Sequence, residues 1–262
     1  MWPVLIQIGG VPLYSFGLMV SLAFLCGGQV FIRRLKADKI SENEALLLLI
    51  LILLGGVIGA RLCYALFFPA MFWKDPWGVL LGSGGLVWYG GVVGSFLVLA
   101  VAAAYKHWPW RLLLDSLALG AVLGQSIGRL GCFFSGCCYG APTTLPWAVV
   151  YPLGHQTHPD LTHVQHVHPS PLYESIGMLG LFLLVNTVFG KPKKTVAPGQ
   201  MAGWCFMGYG LVRFCVEATR GDRLLWIPGF DISASQWISM VMILAGTVLS
   251  YKTGLKRGSA EQ

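Results

Sequence analysis

Residues 45–68 read Ala45-Leu-Leu-Leu-Leu-Ile-Leu-Ile-Leu-Leu-Gly-Gly-Val-Ile-Gly-Ala-Arg-Leu-Cys-Tyr-Ala-Leu-Phe-Phe68, a stretch with a single charge, Arg61. It exceeds the about 20 apolar residues that cross a hydrocarbon core of about 30 Å. Similar runs lie at Val11–Ile32, Gly85–Ala104, Leu112–Phe134, Ser170–Gly190, Gln200–Ala218 and Ile232–Tyr251. Over all 262 residues, 55% are hydrophobic and 11% charged, with mean hydropathy +0.67. A soluble domain carries roughly 25% charged residues, so this chain has too few to cover a globular surface. The pattern predicts an all-α, polytopic integral membrane protein with seven transmembrane helices. It forms a single transmembrane domain over 1–262, with a His-rich outer loop at about 140–168.

Orientation follows from the loops. Arg33, Arg34, Lys36, Lys39, Lys106, Arg111, Lys191, Lys193, Lys194, Lys252, Lys256 and Arg257 all fall on one side of the seven runs and make up 12 of the 18 Lys and Arg. The positive-inside rule makes that side cytoplasmic, with the N-terminus outside and the C-terminus inside. The net charge of +7 is then a consequence of orientation, and no nucleic acid partner is expected. Met1 to Gly10 lack the basic and apolar regions of a signal peptide, so the first span is expected to be retained.

Ionisable residues inside a bilayer are costly and mark function by default. In this topology Arg61, Tyr89, Arg129, Glu174, Arg213 and Glu217 come to a common depth in the outer half of the bundle. Three arginines against two carboxylates suit an anionic phosphate, because guanidinium presents a planar fork to phosphate oxygens and stays charged when buried. Tyr209, Arg213 and Glu217 share a helix face at steps of four, and Arg220 is expected to continue it. Four glycines surround Arg129 in the segment Gly128 to Gly140, where the backbone is expected to bend toward a ligand. Gly55 and Gly59, Gly90 and Gly94, and Gly120, Gly124 and Gly128 are small-xxx-small patterns that predict close helix packing.

The seven cysteines fall mostly in apolar runs and predict no disulfide framework. Cys132, Cys137 and Cys138 stand apart, being open to a disulfide, metal binding, acyl carriage or simple filling of a tight helix end. His155, His158, His163, His166 and His168 crowd the loop before the fifth run. Their spacing predicts a polar, substrate-facing loop, and neither a metal nor a cofactor is expected.

The ordered elements Tyr14-Ser-Phe-Gly-Leu-Met19, Gly59-Ala-Arg-Leu62, Gly90-Gly91, Gly128-Arg-Leu-Gly131, His168-Pro-Ser-Pro-Leu-Tyr-Glu174, Gly208-Tyr-Gly210 and Arg213-Phe-Cys-Val-Glu217 with Arg220 resemble those of the prolipoprotein diacylglyceryl transferases. The resemblance implies transfer of the diacylglyceryl group of phosphatidylglycerol to the lipobox cysteine of preproteins, at the outer face of the bacterial cytoplasmic (inner) membrane. It implies phosphate binding by Arg129, Arg213 and Arg220, with Glu217 as a partner. Tyr209, His168 and Tyr173 would shape the substrate cavity, and Tyr89 and Glu174 are the candidates for proton handling. The chain departs from the family pattern at Tyr89 (usually histidine), Cys132 (usually asparagine), Cys137 (usually glutamate) and Phe16 (often tyrosine). Two other readings stay open: a divergent member that uses the same cavity for another acceptor or a cysteine-based reaction, and a nonenzymatic lipid-binding or transport protein.

Overall fold

The computed structural model describes residues 4–82, 87–150, 166–189, 197–221 and 232–258. His155, His158 and His163 lie outside them, as does Arg223. The described chain is mostly helical. In order it forms β1 (Val4–Ile8), β2 (Val11–Tyr14), α1 (Ser15–Ala37), α2 (Glu42–Phe67), α3 (Pro69–Lys74), α4 (Pro76–Leu81), α5 (Trp88–Tyr105), α6 (Trp110–Ser135), β3 (Val149–Val150), β4 (His166–Val167), α7 (Ser170–Phe189), α8 (Gln200–Glu217) and α9 (Ala234–Gly258).

Among the described residues, α1, α2, α6, α7 and the Ala234–Tyr251 part of α9 are long and apolar enough to cross a membrane, and Tyr89–Tyr105 is a shorter apolar helix. The sixth apolar run is the helix α8, which is not among these five because Arg213 and Glu217 interrupt its hydrophobicity. Only 17% of the α2 window is buried inside the protein, and Leu47, Ile50, Leu54, Val57 and Ile58 are exposed. A helix this apolar on every side, with most of its surface uncovered, is matched to lipid. The protein is a membrane protein.

The first run does not begin as a helix. Val11–Tyr14 pairs antiparallel with Val4–Ile8, Ile8 opposite Val11, across Gly9 and Gly10 at φ 57° and 84°. A two-residue Gly-Gly loop with both φ positive is the hairpin turn whose twist matches the strands, and the apolar residues on either side hide it within a hydrophobic run.

The chain divides into two compact units, Phe31–Ser116 and Met1–Val30 with Leu117–Gln262. In the first, α2 packs on α5 through the predicted small residues. A Cβ on Gly59 would run into the Gly90 carbonyl, and one on Gly94 into that of Gly55. Gly59→Leu is therefore expected to cost about 1–3 kcal/mol by overpacking, read as a lower unfolding midpoint in detergent. Gly128→Ala is the control, since a Cβ there meets nothing within 4 Å, and an unchanged midpoint for Gly59→Leu would refute this packing. Ser41 caps the start of α2: the Glu44 N–H donates to Ser41 Oγ at 3.3 Å, and Ser41 Oγ donates to Glu44 Oε2 at 2.8 Å.

In the second unit, Gly27 of α1 abuts the Gly120 carbonyl of α6, and Gly203 of α8 meets Gly246 of α9. α6 and α7 are clasped by two serines: Ser126 Oγ donates to the Ser175 carbonyl at 2.9 Å and Ser175 Oγ to the Ser126 carbonyl at 2.8 Å. Such hydrogen bonds hold helices together where lipid supplies no hydrophobic drive. They fix the register of α6 against α7 immediately beside Gln125 and Glu174.

Candidate active site

Three helices of the second unit, α6, α7 and α8, converge on Glu174. This residue lies one turn into α7 and is 1% exposed. Its Oε1 meets Arg129 Nε of α6 at 2.9 Å and accepts from Gln125 Nε2 at 3.1 Å. Its Oε2 accepts from Arg213 Nη1 of α8 at 3.2 Å. Arg213 Nη2 reaches Glu217 Oε2, one turn further along α8, at 2.9 Å, and donates to Ser235 Oγ of α9 at 3.3 Å. Ser233 closes the chain by donating from Oγ to Glu217 Oε1 at 2.8 Å. The result is an alternating line, Arg129–Glu174–Arg213–Glu217, in which each inner charge touches two of opposite sign.

A buried ion pair is tolerated only when its remaining polar atoms are also satisfied. Gln125, Ser233 and Ser235 do that here, and sequence reasoning missed all three. Gln125 was within reach, because it stands four residues before Arg129 and shares its helix face. Ser233 and Ser235 follow a segment outside the described residues, and nothing local connects them to α8.

Arg61 has a different partner from the one its depth predicts. Its guanidinium donates to the Val79 carbonyl at 3.2 Å and to that of Gly82, which are carbonyls at the C-terminal end of α4, where the helix dipole favours a cation. The line in the second unit thus holds two cations and two anions, and its charge is balanced. Tyr89 opens α5 in the first unit and is exposed. Arg220 does not continue the α8 face, because the helix ends at Glu217, and Arg220 forms a bridge to Gly140. Tyr209, one turn before Arg213, is within electrostatic reach of Arg129.

The three segments singled out in the sequence are sewn together by backbone hydrogen bonds. Gly140 N–H donates to the His168 carbonyl at 2.9 Å, His168 N–H to Ala141 at 3.0 Å and Ala141 N–H to Thr219 at 2.8 Å. A Cβ on Gly140 would collide with Thr219, Ser170 and His168, so only glycine allows this crossing. Beside it the Tyr173 hydroxyl accepts from Trp147 Nε1 at 2.7 Å and lies 3.3 Å from His168 Nδ1. Tyr173 and Glu174 are consecutive on α7 and so face different ways.

The glycines around Arg129 do not bend the helix. α6 runs unbroken to Ser135, and Gly131 instead lets Phe16 and Met19 of α1 approach. The turn comes at Gly136, φ 76°. Cys137 N–H donates to the Cys132 carbonyl at 3.1 Å and Gly136 N–H to that of Phe133 at 3.3 Å. These are the two bonds of a Schellman motif, which brings the side chains of the third residue from the helix end and the second beyond it together. Those residues are Cys132 and Cys137. Cys138 follows at φ 60°, a left-handed conformation that costs an L-residue about 1–2 kcal/mol, and its thiol joins the other two. The three sulfurs lie within 4.8 Å of one another and, among the described residues, are the only group of His, Cys, Asp or Glu placed to share a metal ion. Hydrogen bonds from Cys132 and Cys137 hold the Cys138 thiol well below the ordinary thiol range, with Arg129 and Arg220 adding to the effect.

A line of four charges among apolar helices, its two carboxylates buried and its two arginines partly so, marks a helical membrane protein with a built ionic centre. A family model described as prolipoprotein diacylglyceryl transferase matches residues 3–252. The chain is 35% identical to the phosphatidylglycerol–prolipoprotein diacylglyceryl transferase of Bordetella avium, over 94% of this chain and 92% of that protein. It is 33% identical to the protein of the same name from Finegoldia magna, over 94% and 93%, and 32% identical to that of Gloeobacter violaceus, over 99% and 95%. The chain belongs to the prolipoprotein diacylglyceryl transferase family.

Proposed function

We propose that this chain transfers the diacylglyceryl group of phosphatidylglycerol to the lipobox cysteine of prolipoproteins, at the outer face of the bacterial inner membrane. In this reading α1, α2, α5, α6, α7, α8 and α9 are seven spans of one transmembrane domain, with the N-terminus outside and the C-terminus inside. Sulfur displaces the phosphate at a glycerol carbon: a C–S bond forms, the C–O bond to phosphate breaks, and glycerol phosphate leaves with the electron pair. The departing group gains negative charge, and preorganised cations stabilise that change without reorganising during the reaction. Arg129 and Arg213 supply those cations. Glu174 holds Arg129 through Nε, and Glu174 and Glu217 hold Arg213 through its two terminal nitrogens, so that the positions of the positive charges are set before lipid arrives. Tyr209 and Arg220 border the same region, and Tyr173 and His168 shape the entry to α7.

The observation that carries this reading is the buried Glu174 carboxylate shared by Arg129 and Arg213 in a chain of this family. The test is complementation of a strain depleted of its own diacylglyceryl transferase. The chain is expected to restore growth and the lipid-bearing mass of lipoproteins. Expression in the membrane without any mass gain on a lipobox cysteine would defeat the proposal and favour lipid binding without turnover.

A further inference from the structure

We propose that Cys132, Cys137 and Cys138 form a three-thiolate zinc site whose fourth position takes the acceptor thiol. This rests on the transfer reaction proposed above and identifies how its nucleophile is made. Three observations carry it. The sulfurs already lie within 4.8 Å of one another, while tetrahedral zinc with Zn–S bonds of about 2.3 Å needs separations of about 3.8 Å, so a closure of about 1 Å completes the site. The turn is built for convergence: the Schellman bonds join Cys132 to Cys137, and a left-handed Cys138 at φ 60° adds the third sulfur at a position where glycine would be the unstrained choice. Arg129, the cation paired with Glu174, also acts electrostatically on Cys132 and Cys138, and Arg220 acts on Cys138. A zinc ion with three thiolates carries one net negative charge, which these arginines offset.

Three protein ligands with an open position is the arrangement of catalytic zinc, and the proposal assigns that position to the acceptor thiol. A thiol that enters the open position is deprotonated by the metal, its proton passing to water. The bound thiolate is then the nucleophile that displacement requires. Its sulfur bonds to the glycerol carbon as the carbon–oxygen bond to phosphate breaks, leaving a thioether and glycerol phosphate.

The test uses the full chain purified in detergent, with zinc measured directly and cobalt substituted for it as a spectroscopic probe. About one metal per chain is expected, together with a thiolate-to-cobalt charge-transfer band. Bound metal should fall by more than about tenfold in C132S, C137S and C138S but not in C26S. Adding a lipobox peptide is expected to shift the cobalt spectrum, and its Cys→Ser counterpart is not. Because serine at these positions could also disturb the fold, Cys138→Gly is the decisive variant: it suits the left-handed backbone and still removes a ligand, so it should stay folded and lose the metal. A disulfide among the three cysteines, a metal-free chain with freely alkylated thiols, copper(I) in place of zinc, or a cobalt spectrum blind to the peptide would each overturn the proposal. Metal and peptide binding with no transfer would defeat the proposed reaction and leave the zinc site standing, whereas full transfer by the metal-free chain would do the reverse.

Discussion

Glu174→Ala is expected to abolish diacylglyceryl transfer and to lower the unfolding free energy by about 3–5 kcal/mol, the usual effect of removing one partner from a buried ion pair. The carboxylate is the middle of the line: Arg129 holds one oxygen and Arg213 the other, and Gln125 adds a hydrogen bond to the first. Its removal leaves Arg129 without this carboxylate and Arg213 with Glu217 alone, in a site where little water reaches, so the loss is uncompensated buried charge and not merely two contacts. Glu174→Gln separates charge from shape. It keeps the side-chain length, but its single amide oxygen can accept from only one of the two arginines and the line is left with a net positive charge, so its stability should fall between those of the wild type and the alanine variant. Thermal unfolding in detergent, alongside transfer of labelled lipid to a lipobox peptide, measures both effects. An alanine variant as stable as the wild type would mean that the line is not what holds α6, α7 and α8 together.

Much of this centre could be read in the sequence, because the cost of burying charge in lipid leaves few reasons for Arg129, Glu174, Arg213 and Glu217 to stand inside apolar runs. Their convergence followed from topology, a property of helix order and loop charge. What escaped was anything set by contact across helices. Arg61 is as buried in an apolar run as Arg129, and only the fold of Pro69–Leu81 explains why its guanidinium binds α4 carbonyls. Ser233 and Ser235 are ordinary polar residues until α9 is seen against α8. The β1–β2 hairpin was hidden because a strand of apolar residues leading into an apolar helix leaves no break in hydropathy, although Gly9-Gly10 was a local turn signal. The cysteine cluster was half legible: three thiols near a helix end were visible, but their meeting depended on Gly136 acting as the residue just past the helix, with its positive φ.

Arg213→Ala is expected to lower kcat/KM by about 100- to 1,000-fold, the range for losing one preorganised donor to a developing negative charge, with a larger share in kcat than in KM. Arg213 is the best placed of the cations for this test, because it bridges both carboxylates through different nitrogens and is fixed by Ser235 as well. Its removal turns a balanced line into one with a surplus negative charge, which opposes the anion forming on the phosphate, so the effect should exceed that of losing a hydrogen bond to a neutral group. Arg213→Lys keeps the charge but not the fork: one ammonium cannot span Glu174 and Glu217 in the same geometry, so activity should recover only in part. A double-mutant cycle distinguishes catalysis from support. If Glu217 acts only by holding Arg213, then Glu217→Ala should cost far less in an Arg213→Ala background than alone. Equal costs in both backgrounds would give Glu217 a role independent of the arginine it touches.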